Sequence, residues 1–160
     1  MKLVMLCILF LTGVSVPELR TLRENYVSAA QSEEDANNFH DSLSKIESSN
    51  TTLMAYKAAS IVLLAKYESG LITKTKLFNR GTSLLEETLK KNPDDYEARL
   101  IRLNIQDNVP WITGYKDDID NDKAFLIKNY SKQSVDLKAF TKKYVKQSDA
   151  FTDKEKQYFN

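Results

Sequence analysis

The stretch GTSLLEETLKKNPDDYEA, residues 81–98, decides how this chain folds. Apolar residues recur in it at intervals of three and four, which places them on one face of a helix. Asn92 and Pro93 end that helix, because proline cannot continue the helical hydrogen-bond ladder. Asp94 and Glu97 follow at the spacing of a capping box, which predicts that a second helix begins at once. Two helices joined by so short a turn pack antiparallel.

The composition extends this interpretation to the rest of the chain. The 160 residues suit one domain, and 42% of them are hydrophobic, which is enough to bury a core and argues against disorder. Glycine (4) and proline (3) are scarce, whereas a β protein needs many turns rich in both. Helical periodicity recurs along the chain, and two further helix starts are predicted, one capped by Ser32 and one by a capping box of Thr152 and Glu155. We therefore predict an all-α fold of antiparallel helix pairs.

One segment shows the spacing of a known repeat. The segment has a small residue, a large apolar residue, a second small residue and a proline at Gly81, Leu85, Thr88 and Pro93. This spacing resembles the second helix of a tetratricopeptide repeat. The first helix of the unit lacks the tryptophan and glycine of that repeat, so one unit alone matches. The resemblance implies helix pairs that stack on their neighbours and form a concave groove.

A second resemblance covers most of the chain after its first residues. Three stretches carry this resemblance: residues 108–111 (NVPW), the pair Gly114–Tyr115 and residues 120–123. In these stretches the chain resembles a group of uncharacterised exported bacterial proteins with degenerate helical repeats. This resemblance implies export and a helical fold, and it carries over no activity.

The N-terminal segment indicates export independently. Lys2 precedes an apolar run over residues 3–16, and small residues follow, as in a signal peptide. The run is shorter than the roughly 20 residues that a membrane-spanning helix needs. We predict a signal peptide over residues 1–15, cleavage after Ser15, and one helical domain over residues 16–160 in the periplasm or outside the cell. The only cysteine, Cys7, would be removed, so the mature chain would contain no disulfide.

The charge of the mature chain narrows the choice of partners. Lys2 is the only charged residue of the signal segment, so removing it lowers Lys+Arg from 23 to 22, equal to the 22 Asp+Glu. A neutral chain gives no electrostatic reason to expect a nucleic-acid partner. Contact with a membrane is expected only through an uncleaved signal segment.

The sequence contains no pattern that predicts catalysis, a metal or a cofactor. His40 is the only histidine, so catalytic options are few. The aspartates of residues 118–122 alternate as in a calcium-binding EF-hand loop, but Lys123 and Asn129 stand where that loop needs glycine and glutamate. Helix capping explains this acidic stretch better. We predict no enzymatic activity and no bound cofactor or metal.

The strongest candidate site combines amide and aromatic side chains near one helix end. It consists of Asn104, Asp107, Asn108, Trp111 and Tyr115. Aromatic and amide groups together suit recognition of a peptide or a sugar. The architectural interpretation, in which the tryptophan fills a gap between helices, is favoured over recognition.

These observations favour an exported, non-enzymatic helical-repeat protein of the cell envelope that binds a protein or peptide partner. Two other hypotheses stay open. One is a helical protein that binds a small ligand, a sugar or a lipid. The other is an envelope hydrolase.

Overall fold

The computed structural model describes residues 18–160, and in this part of the chain all regular structure is helical, which confirms the predicted all-α class. The α-helices of this part are α1 (Leu19–Ala29), α2 (Glu33–Ser44), α3 (Thr51–Tyr67), α4 (Leu71–Lys91), α5 (Tyr96–Asn108), α6 (Ile119–Asn129), α7 (Val135–Gln147) and α8 (Asp153–Lys156). Short 3-10 turns cover Trp111–Thr113, Tyr130–Lys132 and Gln157–Phe159. The predicted signal peptide, its cleavage point at Ser15 and Cys7 lie outside the described residues.

Helix α5 begins one residue later than predicted. Its N-cap is Asp95, whose carboxylate accepts from the backbone amide of Ala98 at 2.9 Å, so the prediction of Asp94 as the cap is wrong. The other carboxylate oxygen of Asp95 accepts from the hydroxyls of Thr51 and Thr52 at the start of α3. This contact between two helix starts selects Asp95, and a local sequence pattern cannot reveal it.

Two other predicted caps are confirmed. The Ser32 side chain accepts from the amide of Asp35 at the start of α2. Thr152 and Glu155 form the complete capping box that begins α8. Each cap satisfies backbone amides that have no partner inside their helix.

Helices α3 and α4 form an antiparallel pair. The C-terminal end of α4 meets the N-terminal end of α3, where the Asn92 side-chain amide donates to the Thr51 hydroxyl at 3.3 Å. Between the ends the two backbones approach closely at Gly81. A Cβ atom at this position would lie 2.6 Å from Cγ2 of Val62 and 2.9 Å from the carbonyl oxygen of Ala58. The small residue of the predicted repeat pattern is therefore required by the packing of this pair.

Helix α5 lies between two apolar clusters and contributes to both. Ala98, Ile101 and Ile105 pack into the cluster formed with α1–α4. Leu100 and Leu103 pack into the cluster formed with α6, α7 and the C-terminal residues. A helix buried on most of its surface in this way is central to the fold.

A buried ion pair fixes α5 against α1 and α3. Nε and Nη2 of Arg23 donate to the two carboxylate oxygens of Glu97, both at 2.7 Å. The Tyr56 hydroxyl donates to the same carboxylate at 2.6 Å. Glu97 is only 3% exposed. The Glu97 side chain faces the interior. The predicted capping box between Asp94 and Glu97 is therefore wrong. Burial, with the charge of Glu97, raises the pKa of Tyr56 well above its ordinary range.

Candidate functional site

The loop that follows α5 exposes two large apolar side chains. Helix α5 ends at Asn108, and Trp111–Thr113 form a single 3-10 turn. Gly114 closes this turn with a φ of 66°, a conformation that favours glycine. Trp111 is 81% exposed and Ile112 is 77% exposed. The favoured architectural prediction, that Trp111 fills a gap between helices, is wrong, because residues 18–160 leave most of the side chain uncovered.

Tyr115 anchors the same loop to α4. Its hydroxyl donates to a carboxylate oxygen of Glu86, and its ring packs edge-on against Phe78, with 6.0 Å between ring centroids. Burial, with the hydrogen bond to Glu86, raises the pKa of Tyr115 far above its ordinary value. The hydroxyl therefore stays protonated and continues to donate. The exposed pair thus projects from a loop that is held at its C-terminal side.

Glu86 is itself part of an ionic network. Nη1 of Arg102 donates to Glu86 at 2.9 Å and lies 3.3 Å from Asp118. Nε of Arg102 donates to Asp122 at 2.7 Å, and Arg99 donates to the same carboxylate at 2.8 Å. Asp122 is fully buried. The network joins α4, α5 and α6 directly beneath the loop.

This network changes the interpretation of the acidic stretch over residues 118–122. Asp118 is the N-cap residue of α6, but its side chain makes no capping hydrogen bond. Asp120 and Asp122 lie in the first turn of α6, where the helix dipole favours them. Asp122 mainly neutralises two arginines, which the sequence analysis missed. The sequence does contain an indication of this network, because Arg99 and Arg102 stand three positions apart and so share one face of a helix.

The predicted site residues do not form one surface. Asn104 accepts from the Tyr26 hydroxyl at 2.6 Å, so its amide oxygen serves the contact of α5 with α1. Asp107 accepts from Tyr144 at 3.0 Å and from Ser148 at 2.6 Å. These two side chains hold neighbouring elements together.

The other three predicted residues belong to the loop or adjoin it. Asn108 is exposed, and its amide donates to the carbonyl oxygen of Asn104 one turn earlier. Trp111 points into solvent, and Tyr115 is half-buried against α4. The accessible part of the candidate site is therefore Asn108 and Trp111, with Ile112 as an addition that the sequence analysis did not select.

His40 pairs with a serine, but the arrangement does not suit nucleophilic catalysis. Nδ1 of His40 lies 3.1 Å from Oγ of Ser60. The single hydroxyl proton of Ser60 is donated to the carbonyl oxygen of Lys57 at 2.7 Å. Ser60 is also completely buried, out of reach of a substrate.

Within residues 18–160 no group of three or more histidine, cysteine, aspartate or glutamate side chains is arranged to hold a metal ion. No helix of this part is both long enough and apolar enough to cross a membrane.

Comparisons with protein-family models, with curated proteins and with solved structures found no match for this chain. The resemblances to a tetratricopeptide repeat and to exported bacterial proteins therefore stay predictions.

Proposed function

We propose that this chain is a non-enzymatic interaction protein of the cell envelope, which presents Trp111 and Ile112 to a protein or peptide partner. The exposure of these two adjacent apolar side chains carries the proposal. Tryptophan is enriched among the few residues that dominate the free energy of protein–protein association. A partner that covers both side chains would remove a large apolar area from water.

The way the loop is held supports the same conclusion. Tyr115, Glu86 and Arg102 connect it to the helices below through hydrogen bonds. A recognition loop that is already ordered loses less conformational entropy on binding than a mobile one. The anchor thus favours binding without covering the exposed pair.

Two further parts of the proposal are the pairing of the helices and the export of the chain. The close approach of α3 and α4 at Gly81 supports a tetratricopeptide-like pairing of helices. The apolar run of residues 3–16 supports export to the periplasm or beyond. The proposal of no enzymatic activity is supported by the complete burial of Ser60, the serine that lies beside His40.

A pull-down from bacterial envelope extract, compared across three baits, tests the proposal. The baits are the wild-type chain, Trp111→Ser, and Val135→Ser as a control that removes an equally exposed apolar side chain (79%) elsewhere. We expect one partner protein to bind wild type and Val135→Ser, and its recovery on Trp111→Ser to fall by about tenfold or more. Circular dichroism checks that all three baits are folded.

Two results would contradict the proposal. Equal recovery of the partner on Trp111→Ser would show that the loop is not the contact surface. If the wild-type chain instead floats with lipid vesicles and Trp111→Ser does not, the pair inserts into a membrane interface, where tryptophan is also favoured.

A further inference from the structure

A groove of about 380 Å³ runs along the seam between α3 and α4, on a face of α4 that does not carry the Trp111 loop. Its walls are formed by one face of each helix, together with the segment that leads into α3. The lining residues are Met54, Lys57 and Ile61 from α3, Arg80, Ser83, Leu84 and Glu87 from α4, and Glu47. The volume lies within the range of pockets that bind small molecules.

The apolar part of the groove comes from Met54, Ile61 and Leu84. These side chains can cover one apolar group of a ligand. Apart from Ser83 the remaining lining is charged, so a purely apolar ligand would leave the charged groups poorly solvated.

The charges are ordered along the groove. Because α3 and α4 are antiparallel and Gly81 contacts Ala58 and Val62, Arg80 lies level with the middle of α3. Glu87 lies two helical turns further along α4, level with the first part of α3. Glu47 precedes α3, and its carboxylate lies 3.1 Å from the ammonium of Lys57, so these two charges pair with each other. Arg80 therefore provides the basic end of the groove and Glu87 the acidic end.

The two charged groups at the ends of the groove are available to a ligand. Neither Arg80 nor Glu87 forms an ion pair with another residue within 18–160. Lys57 is only 7% exposed, and its ammonium donates to the carbonyl oxygen of Ile46 at 2.6 Å and to Glu47 at 3.1 Å. Lys57 is therefore satisfied within the protein, and the charges available to a ligand are those of Arg80 and Glu87.

A neighbouring histidine responds to the same positive charge. Burial lowers the pKa of His40; the charge of Asp41 opposes this, and the charges of Arg80 and Lys57 lower the pKa further. Both cations therefore act on one region of the protein, beside the α3 wall of the groove.

We propose that this groove binds a short peptide of about three residues with free termini. Its carboxylate would lie at Arg80, its ammonium at Glu87, and an apolar side chain over Leu84. The dimensions agree: seven residues of helix separate Arg80 from Glu87, about 10 Å at 1.5 Å per residue. Three extended residues also span about 10 Å. This site is separate from the Trp111 loop and does not depend on the function proposed for it.

Calorimetry and NMR titration of the full chain with three forms of one peptide test the proposal. The probes are Ala-Leu-Ala, its N-acetyl form and its C-terminal amide. We expect the free peptide to bind, with shift changes at residues of α3 and α4 that line the groove. Each blocked form should bind about tenfold more weakly, because it lacks one charge-assisted contact.

Matched variants assign each terminus to its end of the groove. In Arg80→Gln the free peptide and the amide should bind equally, while acetylation still weakens binding. In Glu87→Gln the reverse should hold. Arg20→Gln, which changes an exposed arginine on α1, should behave as wild type. Both groove residues are exposed, so these variants are expected to fold.

The proposal is overturned if Ala-Leu-Ala causes no shift changes at millimolar concentration. It is also overturned if the blocked and free forms bind equally to the wild-type chain, or if the two variants show the same preferences as wild type.

Discussion

Glu97 is the side chain on which the packing of three helices depends most directly. It neutralises Arg23 with two hydrogen bonds and accepts a third from Tyr56, all in the interior. Taking two charges out of water is costly, and only their mutual pairing offsets that cost. Removing one partner therefore leaves a buried charge without compensation.

We predict that Glu97→Gln lowers the free energy of unfolding by about 3–5 kcal/mol, because the Arg23 guanidinium remains buried without a counter-charge. Urea denaturation measures the change. Glu24→Gln is the matched control, since Glu24 pairs with Arg20 on the surface of α1, where the side chains are 66% and 71% exposed. The control should change stability by less than about 0.5 kcal/mol. Similar losses in both variants would contradict a special role for the buried pair.

Glu97 also shows which contacts could not be predicted from the sequence. Glu97 stands three positions after Asp94, so a local pattern predicted a capping box on the surface. Its true partner, Arg23, is 74 positions away in the chain, and no short-range spacing encodes that contact. Trp111 was expected to fill a gap between helices, and only the structure shows that its ring is in solvent.

At the scale of single helices, α4 has three faces with different roles. Gly81 and Leu85 are buried, and Gly81 packs closely against α3. Glu86 holds the Trp111 loop through Tyr115, whereas Arg80 and Glu87 line the groove. The helix can serve two separate surfaces because its residues repeat every 3.6 positions.

We predict that Gly81→Ala destabilises the protein by about 1–3 kcal/mol, although alanine is normally favoured over glycine inside a helix. The added Cβ would lie 2.9 Å from the backbone carbonyl oxygen of Ala58, which cannot move without shifting α3. Urea denaturation again gives the measurement. Asn79→Ala, on the exposed surface of the same helix, should leave stability unchanged or slightly raise it. A stabilising effect of Gly81→Ala would show that the two helices can separate at little cost.

For the molecule as a whole, helical periodicity and the scarcity of glycine were enough to predict an all-α fold. Element starts with a local cap, such as Ser32 and Thr152, were predicted correctly as well. The function of side chains that connect distant elements was not predicted. Asn104 and Asp107 looked like free polar groups after an apolar helix, yet each accepts hydrogen bonds from a residue far away in the chain.

The position of α5 leads to a prediction about cooperativity. Ile101 belongs to the apolar cluster of α1–α4, and Leu103, two positions later, belongs to the cluster of α6 and α7. Since one rigid helix supplies both clusters, we expect residues 18–160 to unfold as a single unit. Native-state hydrogen exchange of amides in α3 and α7 measures this directly.

Leu103→Ala distinguishes the two outcomes. The leucine is fully buried, so its truncation should lower the global free energy of unfolding by about 2–5 kcal/mol. In a single unit, protection falls by the same amount at Ala59 in α3 as at Val145 in α7, although only Val145 belongs to the cluster of Leu103. Ile101→Ala should give the mirror experiment with the same result. Loss of protection at Val145 alone would mean that α5 transmits nothing between the clusters, and that the chain folds as two units.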